Sequence, residues 1–392
     1  MIIMRQNNNI QTHDIKTICN SMTNKLKFCS VFVFWFLKKQ NNNPFKNVIW
    51  NICYCLYQPI YMNFATQNLQ YHTSYVFSVA FHPSLPLLAS ASMDNTVILY
   101  DLTTIPPTAT YKLQDHTDYV YCVAFHPNKS LLATCSKDET AIIYDVSTIP
   151  PTMQQRLTNY SNSIFCIKFH PNPHIFLFAT GSCDMSIIIY DSTTVPATIR
   201  DTLKQFAGYV SAIAFHPRFL ILASGSCNRS VLLYNISTSP PSIKHCFKHS
   251  THDVFCIIFH PTLPLVATGC SDDSAVLYDI STLFVPLTVS QTLSLIAPKQ
   301  PPLHPVVIEY KLKHHTELIR SVDFHENLHL LATGSYDNTI ILYNIRTLPP
   351  SIKYYINDHT SSVTGVAFHP RLPLFASCSN HELTILHNLN KL

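Results

Sequence analysis

Short apolar runs alternate with clusters of turn residues along most of this chain. The stretch from Asp115 to Val146 shows the pattern most clearly, reading DHTDYVYCVAFHPNKSLLATCSKDETAIIYDV. One run leads into His126-Pro127-Asn128-Lys129, a second into Ser136-Lys137-Asp138-Glu139, and a third covers Ala141-Ile142-Ile143-Tyr144. Runs rich in β-branched and aromatic residues between such clusters predict consecutive antiparallel strands. The unit then returns. A Phe-His anchor places His at 82, 126, 170, 216, 260, 325 and 369, with spacings of 44, 44, 46, 44, 65 and 44. A fixed period of this length marks a repeat array.

The middle run of each unit is the best preserved, as in Leu88-Ala89-Ser90, Leu132-Ala133-Thr134 and Phe375-Ala376-Ser377. The third run closes on Tyr at 100, 144, 190, 234, 278 and 343, and on His387 in the last unit. A Thr-x-Pro-Pro turn often follows, where proline fixes the bend and stays out of the sheet interior. A weaker fourth strand precedes the next unit, from Thr110–Leu113 in the first to Ile352–Ile356 in the sixth. Four strands in each of seven units predict an all-β radial array of small sheets. The last unit stops after its third strand. The expected fourth is Thr66–Gln70, ahead of the first unit; pairing it there closes the ring and hides two sheet edges.

Two segments depart from the period. Residues 1–62 carry Asn runs at 7–9 and 41–43 and read as a low-complexity leader, with 63–392 as the array. Met62 is an alternative start. The leader's apolar runs, Phe28–Leu37 and Val48–Met62, are short or interrupted for a membrane span of about 20 residues. Membrane attachment through them remains the alternative to a soluble cytoplasmic protein. The long spacing holds an apolar, Pro-rich insert at about 283–305, either a functional loop or a tolerated expansion.

Charge narrows the function. The leader holds seven Lys or Arg and one acid, so of the 26 basic and 22 acidic residues, 19 and 21 remain in the array, a net of −2. Without a basic stripe for phosphates, nucleic acid is not an expected partner. The 13 cysteines form no CxxC zinc pair. Cys122, Cys166 and Cys256 share a repeat position with Ser78, Ala212, Ser321 and Gly365. That is how a small buried hydrophobe behaves, in a compartment that keeps thiols reduced.

These residues resemble the WD-repeat family of β-propellers, over 63–392. The resemblance implies a seven-bladed β-propeller of four-stranded antiparallel blades. The family's His falls at 72, 116, 315 and 359, with Tyr160, Phe206 and Ser250 in its place in units three to five. The Asp falls at 94, 138, 184, 272 and 337, and the closing Trp-Asp has become Tyr-Asp, Tyr-Asn or His387-Asn388. By this resemblance His72, Ser90, Asp94 and Tyr100; His116, Thr134, Asp138 and Tyr144; and His315, Thr333, Asp337 and Tyr343 form buried structural networks. A set repeated unit after unit is not an active site, and no catalytic residue or cofactor is expected. Units three to five, lacking the His, are expected to have weaker networks and earlier amide exchange. The seven anchor histidines would be spread around one face, too far apart to share a metal ion, and are expected to be solvated or turn-capping.

Function then falls to the surface. In the family one rim is built from the start of each first strand and the residue before the network Asp. Here those positions give Tyr75, Tyr119, Tyr121, Tyr209 and Arg320, with Lys137 and Tyr336 before the Asp. Tyrosine and arginine favour protein-binding hot spots. Phe77, Phe165 and Phe255, of the same set, fit equally well between blades. The expected role is a non-catalytic scaffold binding other proteins, with no small-molecule substrate. Alternatives are a substrate receptor of a cullin-type ubiquitin ligase, from Arg346 in a degraded Trp-Asp-x-Arg box, and a membrane-trafficking component.

Overall fold

A computed structural model describes residues 66–204, 208–248, 252–284 and 307–392. The chain divides into two units, Met1–Phe64 and Ala65–Leu392. The second unit opens with β1 (Thr66–Leu69), followed by β2 (Val76–Phe81), β3 (Leu87–Ser92), β4 (Val97–Asp101) and β5 (Thr108–Leu113). β2 to β5 make one antiparallel four-stranded blade. The pattern repeats as β6–β9 (residues 120–157), β10–β13 (164–203), β14–β17 (210–248), β18–β21 (254–312) and β22–β25 (319–356). The seventh blade has the order β1-β28-β27-β26, its last three strands falling within residues 363–388. The N-terminal strand therefore closes the ring, with Thr66 opposite His387 and Leu69 opposite Thr384. It ends one residue earlier than the sequence suggests. The leader and the 285–306 stretch of the insert lie outside the described residues; only Ser281–Phe284, a 3-10 turn, leads into the insert. Among the described residues no helix is long and apolar enough to cross a membrane.

First strands of successive blades meet around the ring, and fourth strands form its circumference. The core lies between neighbouring blades: Ala89, Leu99 and Leu113 of one blade pack with Val120, Leu132 and Tyr144 of the next. Third strands such as β4 are therefore buried on both faces and show no polar alternation. Fourth strands expose one face; residues 152–156 of β9 are mostly in solvent.

Three local features recur at the blade ends. Each first strand shifts register against the second around its second residue, between Val76 and Ser78, Val120 and Cys122, and so on through Val363 and Gly365. Such a bulge re-aims the extra side chain. The residue after each network Asp position sits in the left-handed region, including Asn95, Glu139, Met185 and Arg229. At the other end the bond before the first proline is cis in five loops, as at Ile105-Pro106 and Val195-Pro196. The apolar residues before these prolines, Ile105, Ile149, Val195 and Leu348, are exposed there.

Candidate partner-binding rim

Each first strand starts at the end where the second strand turns into the third. The connection entering β2 carries His72 across to that turn. Its Nδ1 donates to Asp94 Oδ2 (2.9 Å), and its Nε2 lies 2.6 Å from Ser90 Oγ, which is 3.0 Å from the Tyr100 hydroxyl. In the second blade His116 spans Asp138 (2.8 Å) and Thr134 (2.8 Å), and in the sixth His315 spans Asp337 (2.8 Å) and Thr333 (2.7 Å). In two blades the closing tyrosine has a partner beyond the expected grouping, Tyr343 keeping its bond to Thr333 as well. Tyr144 donates to Asp115 (3.1 Å) and Tyr343 meets His314 Nδ1 (3.2 Å), each the residue just before the network His. Burial alone would raise the Asp94 and Asp138 carboxyls, but the histidine hydrogen bonds and charge outweigh it and hold both well below the usual carboxylate range.

The order Ser90–His72–Asp94 imitates a nucleophilic triad. Ser90 and Thr134 are wholly buried, so no substrate reaches those hydroxyls. A paired buried network of this kind fixes one structure.

The third blade corrects one expectation. Tyr160 takes over from the missing histidine, its hydroxyl 2.5 Å from Thr180 Oγ1 and 2.7 Å from Tyr190. Its network is rebuilt around the tyrosine hydroxyl. In the fifth blade Asp272 pairs with Lys311 (2.5 Å). Phe206 and Ser250 lie outside the described residues.

The anchor histidines are turn-capping but not solvated. His82 is 2 % exposed, and its Nδ1 accepts the backbone N–H groups of Ser84 (3.1 Å) and Leu85 (2.9 Å). The ring edge packs on Phe125 of the next blade at 5.0 Å. The same contact runs His126–Phe169, His170–Phe215, His216–Phe259, His260–Phe324 and His325–Phe368, and His369–Phe81 closes the circle. Burial pushes His82, His126, His170, His216 and His260 down to about 4.

The rim itself is set by one backbone bond per blade. The residue before the network Asp donates its N–H to the carbonyl just ahead of the first strand: Met93 to Tyr75 (2.8 Å), Lys137 to Tyr119 (2.9 Å), Cys227 to Tyr209 (3.1 Å) and Tyr336 to Leu318 (3.0 Å). Tyr75 and Tyr209 stand out at 46 % and 48 % exposed, Lys137 is exposed, and Tyr119 and Tyr336 are half-buried. Tyr121 and Arg320 sit differently. Both are the bulged residues of their strands and turn toward a neighbouring blade. Tyr121 packs between Phe77 (5.4 Å) and Phe165 (5.0 Å), and Arg320 bonds the Phe255 carbonyl (3.3 Å) over that ring. Both line the inner edge of the rim half-buried. Sequence reasoning passed over Asp118 and Glu317, two residues ahead of their first strands, and Asp253, one residue ahead; their acidic character was the available signal.

A seven-bladed ring with one displayed rim defines a propeller-type binding module. The chain belongs to the family described as WD domain, G-beta repeat, which matches residues 65–101, 107–145, 152–191, 200–235, 241–279, 307–344 and 351–385. No curated protein matches the chain. WD-repeat propellers are generally protein-interaction scaffolds and not enzymes.

Proposed function

We propose that this protein is a non-catalytic scaffold that holds peptides or domains of other proteins on the rim bearing Tyr75, Tyr119, Tyr209, Tyr336 and Lys137. The observation that carries the reading is that backbone bonds fix this rim blade by blade while Tyr75 and Tyr209 stand in solvent on it. Rigid aromatic side chains supply contact area at low entropy cost, as hot spots require. Tyr121 and Arg320 support the rim from inside and contribute a smaller contact. A cytoplasmic location fits the free cysteines of the ring. A ubiquitin-ligase receptor role draws support from Arg346, exposed in the loop after β24 at the opposite end.

Affinity purification from cell extract tests the reading, with the full chain beside a variant carrying Tyr75→Ala, Tyr119→Ala, Tyr209→Ala and Tyr336→Ala. The expected result is loss of the partners with the thermal midpoint unchanged. Recovery of the same partners by both proteins would place the site elsewhere.

A further inference from the structure

The rim carries an excess of acidic groups. The connections entering the first strands and the turns between second and third strands hold thirteen Asp or Glu against four Lys or Arg. Five of the thirteen are network aspartates, which leaves eight. Four fourth-strand cations stand at this end by register, Lys112, Arg156, Lys248 and Lys311, of which Lys311 pairs with Asp272 and Arg156 bonds the Asp115 carbonyl (2.8 Å), so acids exceed bases there by thirteen to eight. At the opposite end the described loops carry Glu326 against Lys129, Arg218, Arg346, Arg371 and Lys391. The aspartates ending four of the third strands bring that end to balance. The ring's small net charge therefore conceals a difference between its faces. Charge of one sign over a surface steers partners of the other.

A second observation shows what this rim accepts. In the second blade Lys137 Nζ lies 4.4 Å from the Tyr119 ring centroid and 3.3 Å from Asp118 Oδ2. A cation rests there on an aromatic face beside a carboxylate, the geometry of a cation–π contact. The sixth blade repeats the backbone arrangement with Glu317 in the place of Asp118 and Tyr336 in the place of Lys137. It holds a carboxylate and an aromatic ring, with Leu318 where Tyr119 stands and Lys313 four residues before Glu317. Among the described residues the Glu317 carboxylate has no ion-pair partner.

We infer that the partner segment docked on this rim is cationic, a Lys- or Arg-rich stretch of protein. One of its side chains reaches Tyr336 and pairs with Glu317, the aromatic ring here coming from the position that Lys137 holds in the second blade. The inference rests on the rim reading above and adds the chemistry of the partner. It excludes acidic peptides and nucleic acids from this face.

Fluorescence anisotropy on the full chain tests it, with two labelled peptides of equal length, one alternating Arg with Ser and the other Glu with Ser. The Arg peptide is expected to bind and to weaken about tenfold or more as salt rises from roughly 50 to 300 mM, because exposed charges are screened. A Glu317→Gln, Tyr336→Ala double variant with an unchanged thermal midpoint is expected to weaken it by about fivefold to tenfold. Equal binding of the Glu peptide, or an unaltered affinity in the double variant, would overturn the inference. If neither peptide binds while the four-tyrosine variant still loses its cellular partners, the rim reading stands and the cationic partner falls. If that variant keeps both the Arg peptide and its cellular partners, both readings fall.

Discussion

Cys166 faces Gly181 across the first two strands of its blade, Cys256 faces Gly269, and Gly365 faces Cys378. A Cβ built on any of these glycines would lie 2.6–2.7 Å from the opposing sulfur. One sulfur thus fills one space from either strand, which explains why cysteine trades with small residues at this repeat position. The second blade carries Cys122 opposite Cys135, and there the Cys122 sulfur turns to the Ile167 carbonyl of the next blade (3.8 Å). Gly181→Ala is expected to cost about 1–3 kcal/mol, since its Cβ would also meet Val210 of the next blade at 2.6 Å. Met185, with φ 66, is the reverse case. A left-handed conformation costs a side-chain-bearing residue about 1–2 kcal/mol, so Met185→Gly is expected to raise stability by about 0.5–1 kcal/mol after glycine's own entropy loss. Urea unfolding midpoints check both.

The closing strand β1 is the element on which the ring most depends. Among the described residues it pairs with β28 alone, whose other neighbour is β27, so removing it bares a strand edge of the seventh blade. Deleting residues 63–69 is expected to lower the thermal midpoint of the whole ring and to promote association through the bared edge. Calorimetry with light scattering reads both effects, and an unchanged transition would show that the remaining strands close the ring unaided. The first strands matter in another way. Their bulges turn Tyr121 and Arg320 inward, whereas residues just ahead of the strand, such as Tyr75 and Tyr209, stay on the outer rim.

The circle of anchor histidines ties all seven blades to solution pH. Each Nδ1 accepts turn N–H groups and so must stay unprotonated. Burial lowers His82 to about 4 and His369 to about 3, against 6.5 for an ordinary histidine. A lowered pKa means that the unfolded chain takes up protons first. The stabilisation is fully present above pH 6.5 and is lost as pH falls toward 4. By the usual 1.36 kcal/mol per pKa step, it is on the order of 3 kcal/mol for His82 and of 5 kcal/mol for His369. Urea midpoints at pH 7.5 and pH 5 are expected to differ markedly, in favour of the higher pH. His82→Gln is expected to reduce the difference. A flat profile would mean that the caps survive protonation.

The 44-residue period, the four runs in each unit and the unit cut short at its end were enough for seven blades and for the exchange of the N-terminal strand, because hydrophobic alternation and turn chemistry are local properties. The spacing of His, Ser or Thr, and Asp likewise named the groups that meet in the first, second and sixth blades. Other outcomes depended on contacts between blades, which no single repeat encodes. Tyr160 rebuilds a network because its longer ring reaches the same hydroxyl that a histidine would. The anchor histidines are buried because the next blade supplies a phenylalanine against each. Tyr121 and Arg320 leave the outer rim because a bulge, invisible in residue types, rotates them onto a neighbour. The acidity of one face is likewise a product of the closed ring. Charges scattered along 330 residues become a surface only when every second turn is brought to the same side.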